Sequence, residues 1–279
     1  MNAPLEGMKV VTLAVNVPGP AAASRLREFG ASVTKVEPPG GDPLEASNPA
    51  WHRAMATGQN IVALDLKDEG DLRELASLLE NADLLLTSNR PASLARLGLS
   101  PEDVAGKYPN LAYVAIVGYP SPRENDPGHD LTYLADYGLL TPPDMPRTLL
   151  ADLAGAERAA SAALGLLLGR ERGFGAGYAE VPLSEAAEAF AAPFRHGITR
   201  PGELLGGGFA GYNVYRTSDG WIAVAALEAH FLAKLLSELG LEKADKERME
   251  RIFAEHPSSR WEKWAAERDL PIAALEEPE

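Results

Sequence analysis

Six short apolar runs, separated by stretches of helical periodicity, constrain this chain more than any other feature of its sequence. Residues 8–14, 31–37, 61–66, 83–87, 111–117 and 178–183 read as buried strands, rich in Val, Leu, Ile and Ala. Between them, 21–29 reads as a helix ended by Gly30, 69–79 as a second helix, and Ser100-Pro101-Glu102-Asp103 as the N-cap and first turn of a third. Strands that alternate with helices return by crossovers, so they pair in parallel and are covered on both faces. The expected fold class is therefore α/β, with a mainly parallel Rossmann-like sheet in a large domain spanning 1–200. Ligands of such sheets collect beyond the carboxyl ends of the strands. The loop 118–129 leaves one of those ends.

Past residue 183 the pattern changes. An alanine-rich helix over 184–194 leads into 195–211, which contains Gly206-Gly207-Gly208 and reads as a linker or mobile loop. Residues 212–217 and 221–227 flank Ser218-Asp219-Gly220 as a hairpin, and helices are expected near 229–239, 246–255 and 258–267. This is read as a smaller α+β domain over 201–279, with the closing Glu276-Glu277-Pro278-Glu279 frayed.

Charge and residue usage narrow the function. A net charge of −14 leaves no basic face for a phosphate backbone, so no nucleic-acid partner is expected. The longest apolar runs are too short for a membrane span, and Met1-Asn2-Ala3-Pro4-Leu5-Glu6 has no leader pattern, so neither membrane association nor export is expected and the localisation reads as cytoplasmic. With no cysteine there are no disulfides, thiolate metal sites or cysteine nucleophiles. His52, His196, His230 and His256 show no metal-ligand spacing, and no metal site is expected. The loop after the first strand, Val15-Asn16-Val17-Pro18-Gly19-Pro20, is not the glycine fingerprint of a dinucleotide site.

Two strings carry the chemistry. Gly128-His129-Asp130-Leu131-Thr132-Tyr133 is followed, after a proline-rich gap, by Ala151-Asp152-Leu153-Ala154-Gly155, which opens an almost wholly apolar helix over 153–168. A carboxylate at the N-terminus of a buried helix faces unpaired N–H groups and the positive end of the helix dipole, which would hold it ionised. The same residue also reads simply as an N-cap.

Together these strings resemble the α-methylacyl-CoA racemases of the family III CoA-transferase (CaiB/BaiF) superfamily. Lys35-Val36-Glu37-Pro38-Pro39-Gly40, Ala63-Leu64-Asp65-Leu66-Lys67, Arg90-Pro91 with Arg96-Leu97-Gly98-Leu99, and Ala226-Leu227-Glu228-Ala229-His230-Phe231 match the superfamily in order. The resemblance implies an enzyme that inverts the 2-methyl centre of an acyl-CoA by two-base proton transfer. His129 and Asp152 would be the acid/base pair, Glu228 would hydrogen-bond the histidine, and backbone N–H groups at the start of the 153–168 helix would steady the enolate oxygen. Arg90 and Arg96 would meet phosphates of coenzyme A, with Asp130 and Tyr133 completing the pocket. The same resemblance leaves two alternatives: a family III CoA-transferase with Asp152 as nucleophile, or a shortened, non-catalytic homologue. Coenzyme A enters as the acyl-CoA substrate, and an interlocked homodimer is implied. Two departures from the pattern stand out. Gly58-Gln59-Asn60 and Pro38 replace basic residues, and the family's C-terminal return segment is missing.

Overall fold

In the computed structural model, which describes residues 3–276, the six strands form one parallel sheet. The elements run β1 (Lys9–Thr12), α1 (Pro18–Glu28), β2 (Ser32–Glu37), α2 (Pro43–Ser47), α3 (Pro49–Ala56), β3 (Asn60–Ala63), α4 (Glu69–Glu80), β4 (Leu84–Thr87), α5 (Pro91–Arg96), α6 (Pro101–Lys107), β5 (Ala112–Val117), α7 (Asp130–Asp136), α8 (Leu150–Glu171), β6 (Tyr178–Pro182) and α9 (Leu183–Phe190). The sheet order is β3-β2-β1-β4-β5-β6, and each pairing is parallel. The order reverses between β1 and β4, so the loops that follow these two strands diverge and leave a crevice.

Alternation along the strands builds two cores. Val10, Leu84, Leu86, Val114 and Ile116 pack on one face with Ala22, Ala23 and Leu26 of α1 and Ala156, Ala159, Ala160 and Ala163 of α8. Val11, Val36, Leu85, Tyr113 and Ala115 face the other way, onto Leu75 and Leu79 of α4 and Leu94 and Val104. The alanine stripe of α8 lets it approach α1 closely, and the buried face of this 22-residue helix is accordingly made almost wholly of Ala and Gly. At Gly155 an added Cβ would lie 2.2 Å from Leu183 Cδ2, so this glycine is required for α8 to pack against the start of α9.

The chain divides into two compact units, Met1–Ala191 and Ala192–Glu279. The second holds α10 (Ala192–Arg195), a π-type turn at Leu204–Gly208, β7 (Tyr212–Arg216), β8 (Trp221–Ala225), α11 (Ala229–Glu238), α12 (Lys246–Phe253), α13 (Ser258–Ala266) and β9 (Ile272–Ala274). The expected hairpin is present, and β9 adds a third antiparallel strand in the order β7-β8-β9. Its core gathers Tyr215, Ile222, Val224, Leu235, Met249, Phe253 and Trp261. The frayed end expected at residues 277–279 lies outside the described residues. Among the described residues no helix is long and apolar enough to cross a membrane.

Candidate active site

A cavity of about 290 Å³ opens at the reversal point of the sheet. The loop after β1 contributes Asn16, the loop after β4 contributes Asn89 and Arg90, and the loop after β5 contributes His129. Tyr133 of α7 and Asp152 of α8 complete it. His129 and Asp152, 23 residues apart in the chain, thus line one space.

Asp152 is the third residue of α8 rather than its cap, because the helix begins at Leu150, earlier than its apolar pattern suggested. Nor is the carboxyl held ionised by the helix end. Burial, and then the nearby Asp130 carboxylate, push its pKa up from 3.8 to about 7. Asp130 is buried at the first turn of α7 and accepts the Asp152 backbone N–H through Oδ1 at 3.0 Å. The Leu153 N–H is bonded to the Leu149 carbonyl at 3.0 Å. Two of the backbone donors expected to face an enolate oxygen are therefore already engaged. Asp130, expected to touch coenzyme A, is placed where it orients Asp152 and raises its proton affinity.

His129 is exposed, in extended backbone just before α7. Its main chain is clamped by Thr132: the His129 N–H donates to Thr132 Oγ1 at 3.1 Å, and that hydroxyl donates to the His129 carbonyl at 2.8 Å. His129 lines the cavity from this clamped position. Tyr133 is 1% exposed, its ring held edge-on to Tyr119 at 5.2 Å. Glu228 lies in the second unit, exposed, at the N-cap position of α11.

A second cavity, of about 430 Å³, shares Val15 and Asn89 with the first and so lies beside it. Its walls are Leu13, Val36, Leu64 and Leu66, and Lys67 and Arg96 supply cations. Arg90 belongs to the first cavity and Arg96 to the second. Asn16, Asn89 and Lys67 were not singled out from the sequence. The loops after β1 and β4 carry the first two, and sheet order alone identifies those loops as the crevice walls.

Behind this wall sits a buried polar cluster. Lys35 Nζ donates to Glu37 Oε1 at 2.7 Å and to Asp42 Oδ2 at 2.6 Å, and His52 Nε2 lies 3.0 Å from Glu37 Oε1. Asp42 Oδ1 accepts the N–H of Asn16 at 2.9 Å, fixing a residue with φ of 67° in the wall of the first cavity. Glu37, Glu45 and His52 bring ligand atoms within 4.8 Å of one another. The Lys35 ammonium already supplies the positive charge there, 3.3 Å from His52 Nε2, so the cluster is better read as an ion-pair network than as a metal site.

The match to known proteins agrees with this architecture. The model of CoA-transferase family III matches residues 5–279. The chain is 30% identical to a Mycobacterium tuberculosis protein described as a probable fatty acyl-CoA transferase, over 85% of this chain and 69% of that one. It is 29% identical to the alpha-methylacyl-CoA racemase of Homo sapiens, over 92% of this chain and 74% of the racemase. The crystal structure of the mycobacterial protein superposes with a TM-score of 0.85 at 26% identity, covering 99% of this chain and 86% of that one. The chain belongs to CoA-transferase family III, and is an enzyme of that family, whose members similar to it include both racemases and CoA-transferases.

Proposed function

We propose that this protein is an acyl-CoA racemase, which inverts a 2-methyl-branched centre by moving a proton between His129 and Asp152. The observation that carries the reading is that one cavity brings together an imidazole and a carboxyl whose pKa is about 7. A carboxyl poised at that value both accepts and returns a proton near neutrality, as an exchange between two faces of one carbon requires. The α-proton leaves to one group as an enolate, and a proton arrives from the other side. No redox cofactor enters such a step.

Coenzyme A fits the paired cavities. The apolar walls and cations of the second support binding of an adenine and its phosphates, with Lys67 and Arg96 as the binding residues, while Arg90 in the first would meet the chain of the cofactor. A second reading, acyl transfer with Asp152 as nucleophile, is supported by CoA-transferases among the relatives, such as the acetyl-CoA:oxalate CoA-transferase of Acetobacter aceti at 29% identity. Incubation of 2-methylacyl-CoA in deuterated water separates them. The racemase exchanges the α-proton, and His129→Ala and Asp152→Asn each reduce exchange by about 100-fold or more. A covalent adduct on Asp152, or exchange that survives Asp152→Asn, contradicts the racemase reading.

The protein is proposed to act as a homodimer. Leu150, Leu153 and Phe190, the last 54% exposed, line an apolar groove on the first unit that a second copy would cover. A single monomeric species in sedimentation at micromolar concentration contradicts this. The assignment to the cytoplasm is likewise a proposal, open to test by cell fractionation.

A further inference from the structure

The Tyr133 hydroxyl has an unusual position. The residue is 1% exposed, and its hydroxyl end lies against the cavity wall formed by Gly118 and Gly128. The surrounding backbone is built to leave room for it. A Cβ added at Gly118 would lie 2.5 Å from the hydroxyl oxygen, and one added at Gly128 would lie 2.7 Å from it. Both glycines line the cavity that holds His129 and Asp152, as does Tyr133 itself. The ring cannot swing away, since Tyr119 packs edge-on against it and donates its own hydroxyl to Asp136 at 3.2 Å.

We infer that Tyr133 is a further catalytic residue, whose O–H donates a hydrogen bond to the thioester carbonyl oxygen as negative charge develops there. The inference rests on the acyl-CoA reading above but not on the choice between its two forms. Removal of the α-proton makes an enolate oxygen, and attack by Asp152 makes a tetrahedral oxyanion; each needs a donor aimed at the same atom. The backbone N–H groups of Asp152 and Leu153 are unavailable for this, being bonded to Asp130 and to the Leu149 carbonyl. Tyr133 transfers no proton. Burial first, then Tyr119, Asp152 and Asp130, push its pKa up to about 12, so it remains a neutral donor throughout the working range.

Tyr133→Phe removes the hydroxyl and keeps the ring. With 2-methylbutanoyl-CoA as probe, kcat should fall about 100-fold while KM changes less than about threefold, the pattern of a contact made in the transition state. Thermal stability should change little, because the ring keeps its packing against Tyr119. A structural role would show the opposite emphasis. An independent readout is the infrared stretch of a ¹³C-labelled thioester carbonyl in the probe. Bound to the wild type it should shift to lower frequency than in water, and the variant should lose that shift. No shift in the wild type, or a variant with kcat within about threefold of wild type, overturns the inference. Wild-type protein that does not bind the probe counts against the acyl-CoA reading and removes the inference with it; binding with equal rates in both proteins overturns the inference alone.

Discussion

Asp152 binds its proton more tightly in the folded chain than in the unfolded one, because folding buries the carboxyl beside Asp130 and raises its pKa from 3.8 to about 7. Between those values the folded state holds a proton that the unfolded state has released. The stability this group contributes is therefore fully present below about 3.8 and is lost as pH rises through 7. Asp152→Asn cannot ionise. Its stability relative to wild type should improve steadily from pH 4 to about pH 7.5 and level off above, by on the order of 4 kcal/mol. Denaturant melts of both proteins across that range check it, and a difference that stays constant with pH would contradict the buried, raised carboxyl. The residues of the two strings were legible because each string is local. What the sequence did not show is that Asp130 touches Asp152, a contact made only when α7 and α8 meet.

At the scale of elements, legibility follows length and periodicity. β1, β2, β4 and β5 were read as apolar runs, and α4 and α6 from their helical pattern and caps, because each element's own residues repeat its period. The short helices α2, α3 and α5 were not assigned from the sequence. The signals for α2 and α3 were present: Asp42 before Pro43 and Asn48 before Pro49 are an N-cap followed by proline at the first helical position, and Asp42 and Asn48 accept the N–H of Leu44 and Trp51. Ser100-Pro101, read correctly, is the same device, its Oγ accepting the Asp103 N–H at 3.1 Å. The missed helices matter, since α3 carries His52 into the cluster around Lys35 and the residue capping α2 is Asp42. Lys35 and Glu37 point to the same side of β2 by strand alternation, but their partners come from elsewhere. Because Lys35 is 1% exposed and paired to two carboxylates, Lys35→Met should leave both uncompensated and destabilise the first unit by about 3–5 kcal/mol. Unfolding measured by near-ultraviolet circular dichroism in denaturant tests this; a loss under 1 kcal/mol would mean that the cluster is solvated in solution.

For the whole molecule the problem is charge. On the proposed reading, a chain of net charge −14 must draw the polyanion coenzyme A against its own long-range field, using a few cations placed at the second cavity. The two effects respond differently to salt. Repulsion from acidic groups spread over the surface acts beyond the Debye length, about 10 Å at 0.1 M ionic strength, and is screened first. Contacts between phosphate and Lys67 or Arg96 act at hydrogen-bond distance and survive longer. Raising salt from about 0.02 M to 0.15 M should therefore leave wild-type CoA affinity nearly flat, as weakened attraction and weakened repulsion offset one another. In Arg96→Ala the attraction is reduced and the repulsion kept. That variant should bind CoA about 10-fold more weakly at low salt, corresponding to a charge-assisted bond of about 1.4 kcal/mol, and should recover part of the loss as salt rises. Lys67→Ala should behave in the same direction with a smaller change, since an ammonium makes a less directional contact than a guanidinium. Calorimetric titration of CoA into the three proteins at both salt concentrations decides the matter. Arg96→Ala binding that weakens further with added salt would show that other cations dominate recognition, and affinity unchanged in both variants would place the phosphates outside the second cavity.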